Sequence, residues 1–412
     1  MHEDLWFVVP ARGCDKPFMA ARFPGEHASP FLIGLAGGAA MAAAMGFGRF
    51  VYTPILPGMM EGASLSAADA GLIAGANFAG YLLGAVLAGF GWAAGRERAV
   101  AVLGLVATVV LLAAMAMVDG LAAFTVIRFL AGLASALAMV FTSSIVLAQS
   151  ARGESVQILH FGGVGLGIAL SSALVFVFNL IAGDGAHGWR SEWIGSAVAA
   201  GILVMLAMRF LPRPTGGQAT VREPQLVWDR PLLLVTASYG LFGFGYVITA
   251  TFLVTMARAA DAGTSIEFLA WLGTGLAAAL SLVLWRGFVR RFGLVATYAA
   301  CIAVEAVGVL ASVLLPPAAG ALVGGIFLGL TFMAVTAYGL QLGRRLAADS
   351  PRRALASMTA AFGTGQIIGP LVAGWLAEAS GSFTWPTVLA ASVLAVSAAL
   401  VAPLLAPGPT IR

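Results

Sequence analysis

Two arginines sit where so apolar a chain should carry none. Arg49 lies in Gly46-Phe47-Gly48-Arg49-Phe50-Val51-Tyr52-Thr53-Pro54-Ile55-Leu56-Pro57, which closes an apolar run that starts near Phe31 and has no charge over residues 31–48. An arginine at a membrane-helix centre costs about 2.5–3.5 kcal/mol on insertion scales. A guanidinium kept at that cost faces a bundle interior or a wet cavity rather than lipid. Tyr52 and Thr53 follow at i+3 and i+4 and so share its face. Arg128 is the second, well inside the apolar run 121–148 and at a similar depth. Two guanidinium groups at one depth suit a carboxylate or another anion, because each can grip two oxygens. The competing reading is structural, with one or both arginines bonded to helix carbonyls or supplying only a field.

The other polar groups inside apolar runs are few. Asn77 and Tyr81 stand at i, i+4 on one helix face, where they can line a site or hold two helices together. Gly80 and Gly84 beside them read as packing. Tyr246 and Gln366 are further candidates to contact a solute, and Glu305 is the carboxylate set deepest in an apolar run. Glu305 reads either as a protonation site for coupling or as a neutral group in a helix interface. His160 reads as interfacial. Asp69, Asp119, Asp184, Asp261 and Glu267 fall at run ends, where solvated helix caps explain them. Zinc-protease, P-loop and paired-cysteine motifs are absent, and the Gly-x-Gly pairs lie within apolar runs rather than after strands. The chain is therefore not read as an enzyme, and no cofactor is expected.

Composition states what must position these groups. The chain has 412 residues, 60% of them hydrophobic and 10% charged, with a mean hydropathy of +0.96. A soluble protein would carry about 25% charged residues, so this is an integral membrane protein. The net charge of +4 is spread over many loops and does not make a nucleic-acid-binding patch. Cys14 and Cys301 are too few for a disulfide framework or a metal site.

Twelve runs are long enough to span a bilayer. They cover 31–57, 68–92, 99–118, 121–148, 156–182, 193–211, 231–256, 267–288, 294–315, 319–342, 354–377 and 385–405. Pro57 is expected to end the first. Ser66 with Asp69 predicts a cap at the start of the second. Residues 1–29 lack the order of a signal peptide and read as a cytoplasmic tail. The proline- and glycine-bearing stretch 212–230 reads as a cytoplasmic linker. It separates a first bundle, 30–211, from a second, 231–405, with a short tail at 406–412. With both termini inside, the loop arginines fall almost wholly on the cytoplasmic face, Arg190 and Arg258 being the exceptions. The halves also match at a constant spacing of 197 residues: Gly46 falls on Gly243, Gly132-Leu133 on Gly329-Leu330, and Arg49 on Tyr246. The expectation is all-α, with twelve transmembrane helices in two pseudo-symmetric six-helix bundles.

GFGRFVYTPILPGMM, ANFAGYLLGA, IRFLAGLASA and GVGLGIALS, with YGLFGFGYVITATFLVTMA and AAFGTGQIIGPLVAGWLAE in the second half, resemble the major facilitator superfamily, in particular its YbfB/YjiJ group. That resemblance covers roughly 31–405. It implies a secondary active transporter of the bacterial inner membrane working by alternating access, with its first, fourth, seventh and tenth helices lining the path. It implies a monomer in the lipid bilayer that moves a small organic solute, driven by a proton gradient or by substrate exchange, with efflux favoured. Arg128-x-x-x-Gly132 resembles a fourth-helix motif linked to coupling. The loop Gly91-Trp92-Ala93-Ala94-Gly95-Arg96-Glu97-Arg98 departs from the family's gating signature by lacking its Asp, and Glu97 is the available substitute. The fifth-helix antiporter motif lacks its Pro. The residues give Arg49, Tyr52, Asn77, Tyr81, Arg128, Tyr246 and Gln366 for substrate and Glu305 for coupling, and the resemblance adds Arg128 to the coupling set. The alternative is a membrane sensor or structural protein that kept the scaffold without transporting.

Overall fold

The computed structural model describes residues 29–148, 154–182, 188–212 and 223–405. The terminal tails, most of the expected linker and Asp184 lie outside the described residues. The described chain is helical, and eleven of its helices are long and apolar enough to cross a membrane. They are α1 Pro30–Gly62, α2 Ala67–Gly89, α3 Glu97–Met115, α4 Leu121–Leu147, α5 Glu154–Ala182, α6 Gly188–Phe210, α7 Arg230–Ala259, α8 Thr264–Leu314, α9 Pro317–Leu346, α10 Pro351–Ser380 and α11 Thr384–Leu400.

The helix starts follow capping chemistry. Ser29 caps α1 just before Pro30, whose missing N–H costs nothing in a first turn. Ser66 and Asp69 form the expected capping box on α2. Asp229 caps α7, so Arg230 is helical rather than linker. α8 has 51 residues, which would make it about 76 Å long at 1.5 Å per residue. That is more than twice a hydrocarbon core of about 30 Å. It is interrupted at Gly293, where φ 83° and ψ 174° are non-helical and available to glycine at little cost. The halves on either side of that break, 264–292 and 294–314, are called α8a and α8b.

α1 departs from expectation in two ways. It does not stop at Pro57 but continues to Gly62, with Pro57 inside the helix. Residues Ala42–Phe50 also take the wider π form. A widened turn needs a local cause and commonly marks a functional site. The cause is on both sides of it. Pro54 has no N–H to return to the preceding turn. Gly46 packs so closely on Gly167 of α5 that a Cβ would strike its backbone.

Glycine sets the other helix spacings too. A Cβ on Gly132 of α4 would strike the carbonyl of Asn77 of α2, and a Cβ on Gly329 of α9 would strike that of Thr274 of α8a. Adding 197 to the first pair gives the second. Gly165 of α5 meets Gly275 of α8a, and Gly71 of α2 meets the Pro370 carbonyl of α10. Small residues allow this in lipid, where the hydrophobic effect does not press helices together. The opposite faces, with Leu103 and Val110 of α3 and Val198 and Ile202 of α6, are exposed and apolar, as a lipid-facing surface requires.

Candidate functional site

The site begins at the widened turn of α1, where Arg128 of α4 reaches two backbone carbonyls. Its Nη1 donates to the Gly48 carbonyl at 2.9 Å and its Nη2 to the Arg49 carbonyl at 3.0 Å. Tyr52 and Trp193 flank the guanidinium at 5.2 and 5.7 Å. Asn77 of α2 in turn donates to the Arg128 carbonyl at 2.8 Å. Arg128 is 1% exposed. Its two amino groups are committed to holding α1 in shape, while its Nε has no acceptor.

Arg49 is placed differently. It is 5% exposed, and its Nε and Nη2 are buried with no acceptor. Rings hold its plane instead: Tyr81 at 4.2 Å, Phe78 at 4.5 Å and Phe50 at 5.5 Å. Cation–π contact orients a guanidinium but leaves the Nε and Nη2 groups without an acceptor. No carboxylate forms an ion pair with Arg49 or Arg128 among the described residues. A cavity of about 10 Å³ lies between the two, bordered also by Thr53, Asn77, Phe78 and Thr251. That is room for about one water.

Across from Arg49, Tyr246 of α7 accepts a short hydrogen bond from Gln366 Nε2 of α10. The Gln366 Oε1 is buried without a partner. Tyr81 donates to the Met139 sulfur at 2.7 Å. Of the sequence-derived set, Arg49, Tyr52, Asn77, Tyr81 and Arg128 therefore gather around one point on α1, α2 and α4. Tyr246 and Gln366 form a second group on α7 and α10. Glu305 stands apart in α8b. It is fully buried, one oxygen accepts from Thr331 of α9 at 3.0 Å, and the other has no partner.

The chain matches the family model described as "Uncharacterised MFS-type transporter YbfB" over residues 41–402. It belongs to that family of major facilitator transporters. Its fold agrees. The structure of the nucleoside transporter NupG superposes with a TM-score of 0.67 at 14% identity, covering 91% of this chain and 100% of that one. A bacterial homologue of the human lysosomal transporter Spinster, in an inward-facing and occupied conformation, gives 0.66 at 13% identity, covering 91% and 97%. At those identities the likeness extends to the fold alone. The chain is thus a transporter rather than an enzyme.

The transporter also carries a polar group that sequence reasoning misassigned. Glu267 is not a solvated cap but is buried in an ion pair with Arg258, whose Nε and Nη2 donate to it at 2.7–3.2 Å. Gly263 lets the chain turn between them with φ 91°. Arg258 also reaches Glu61 at the end of α1, at 3.6 Å, and buried Glu192 of α6 lies within its field. Three further contacts join 30–211 to 231–405 on this same side: Thr53 to the Ala250 carbonyl at 2.6 Å, Ser172 to the Phe268 carbonyl at 3.0 Å, and the Ala68 N–H to Glu378 at 3.2 Å. The transporter is therefore tied shut at its Glu61 end. Arg258→Gln should loosen it. A single cysteine at buried Val254, with Cys14 and Cys301 replaced, should react several-fold faster with an impermeant maleimide in that variant. An unchanged rate would mean that the pair does not hold the end closed.

Two other readings change. His160 is buried rather than interfacial, with its Nε2 bonded to Ser143 at 2.9 Å. Glu97 accepts from the Gly95 N–H at 3.0 Å and so braces its own loop.

Proposed function

We propose that this chain is a secondary active transporter of small organic anions, with Arg49 as the group that receives the charge. The observation that carries this reading is a buried guanidinium, held flat by three rings, with two N–H-bearing nitrogens that nothing accepts from. An unpaired buried charge is costly, and a transported anion would supply what is missing. The broken helix α8 counts as two crossings, which brings the total to twelve and divides them into six-helix bundles over 30–211 and 231–405. The contact between Thr53 and Ala250 supports that division. The two positions are 197 residues apart, and equivalent positions of a repeat meet only near the axis that relates them.

Alternating access follows from this architecture by rocking of one bundle on the other. With the Glu61 end closed, the path opens toward the Pro30 end, which loop arginines make the cytoplasmic one. In this reading the chain crosses the inner membrane of a bacterium with both termini on the cytoplasmic side, and the transporter works as a monomer. Protons drive it, and Glu305 is the group that carries them. Its Thr331 partner sits on α9. Family analogy favours efflux.

The test uses purified protein, first in detergent and then in liposomes with an entrapped pH dye. Organic carboxylates and sulfonates should raise its melting temperature, and their neutral amides should not. Impermeant sulfonates should then move protons. Glu305→Gln preserves the bond from Thr331 and should keep the melting shift while losing the proton signal. If no anion stabilises the protein or moves protons, a non-transporting membrane protein on this scaffold becomes the better reading.

A further inference from the structure

We infer that the anion is aromatic: a flat ring bearing a carboxylate or comparable acid, its charge on Arg49 and its ring on an aromatic wall contributed by α7, α9 and α10. This rests on the anion reading above and adds to it the shape of the rest of the solute.

The wall is built from Phe242 and Tyr246 of α7, Phe332 of α9 and Phe362 of α10. Their planes are nearly parallel. Tyr246 lies at 2° to Phe332, 8° to Phe362 and 15° to Phe242, with ring centroids 4.9–6.0 Å apart. Offset stacking is one of the two arrangements aromatic pairs favour, and here it aligns rings from three separate helices into one set of parallel plates. The wall touches the arginine through one residue. Phe50, next to Arg49 in the chain and 5.5 Å from its guanidinium, meets the Phe332 ring edge-on at 5.9 Å. Phe332 and Tyr246 are buried in this closed packing; when the bundles rock apart, a carboxylate on Arg49 brings an attached ring to these plates, where it can stack face to face as they do with each other. Phe78 and Tyr81 also cover the guanidinium, so the charge is bordered by rings on more than one helix.

Three ligands of similar size separate the claims. Benzoate has the charge and the ring. Cyclohexanecarboxylate has the charge and a larger apolar surface but no π face. Benzamide has the ring without the charge. Titration calorimetry on the purified full chain should give benzoate about 3- to 10-fold tighter binding than cyclohexanecarboxylate, the range of an aromatic pair beyond its area. Benzamide should bind about tenfold or more weaker than benzoate, as loss of a charge-assisted hydrogen bond requires. An unshaped apolar pocket gives the reverse order for the first pair, because the saturated ring buries more surface. If cyclohexanecarboxylate binds as well as benzoate or better, the aromatic inference is overturned and the anion reading stands. If benzamide matches benzoate, the anion reading falls and takes this inference with it. Phe332→Leu supplies a second check. It should erase the preference for benzoate over cyclohexanecarboxylate while preserving that for benzoate over benzamide. A preference that survives in a folded Phe332→Leu protein would overturn the role of the wall.

Discussion

Arg49→Met should abolish anion binding and leave the protein at least as stable as before. The two effects separate because Arg49 has so few bonds to lose. Its Nε and Nη2 have no acceptor, and its packing is against Phe50, Phe78 and Tyr81. Methionine has similar length, adapts to irregular gaps and makes favourable sulfur–aromatic contacts. The substitution therefore keeps the packing and removes an unpaired buried charge, whose desolvation costs several kcal/mol. Against that stand lost cation–π contacts worth about 0.5–2 kcal/mol. On the ligand side the balance is opposite. Two charge-assisted hydrogen bonds at about 1.5–3 kcal/mol each correspond to a loss of affinity of about 100-fold or more. Melting curves with and without a carboxylate measure both quantities at once. The ligand-free variant should melt at or above wild type, and the ligand-induced rise should vanish. Arg49→Lys should fall between, since an ammonium keeps the charge without the fork that grips two oxygens. A ligand-induced rise that persists in Arg49→Met would move the site elsewhere.

How much of this was legible in the sequence follows from what each feature depends on. The crossings were readable because a membrane helix is a local fact. About twenty apolar residues announce it, and the break in α8 was visible as the charged interval between 267–288 and 294–315. Arg49 stood out for the same reason, as a charge in an uncharged run. The spacing of 197 residues was readable in the glycines alone, and Gly132 and Gly329 meet carbonyls that keep the same spacing. What escaped depends on distant partners. The wide turn in α1 needs both Pro54 and the approach of Gly167, and only the proline is local. Pro57 did not end α1, because burial against neighbouring helices outweighs one lost backbone bond. Glu267 looked like a cap until Arg258, nine residues earlier, folded back across Gly263 to pair with it. The parallel rings come from three helices far apart in the chain. No periodicity marks them as a set.

Arg128→Met should behave in the opposite way to Arg49→Met, although the two side chains border the same cavity. Arg128 donates to the carbonyls of Gly48 and Arg49 in the widened turn. In the π register the Arg49 carbonyl looks to residue 54 for its N–H, and residue 54 is proline. Without Arg128 that carbonyl is buried with nothing to accept from, and the Gly48 carbonyl loses a charged donor. Each such loss costs about 1–3 kcal/mol, and breaking a buried charged network costs about 3–5 kcal/mol in all. That is a large part of a total stability of about 5–15 kcal/mol. Arg128→Met should therefore melt well below wild type in detergent and be recovered in lower yield. Its loss of anion binding should accompany loss of structure rather than occur in an intact fold. Arg128→Lys can reach one carbonyl and should recover part of the melting temperature. A fully stable Arg128→Met protein would show that α1 holds its wide turn unaided. Arg128 would then be free to take part in coupling, as its fourth-helix motif implies. An unstable one places the two arginines in different trades, Arg128 holding the turn that presents Arg49 and Arg49 alone left open to the solute.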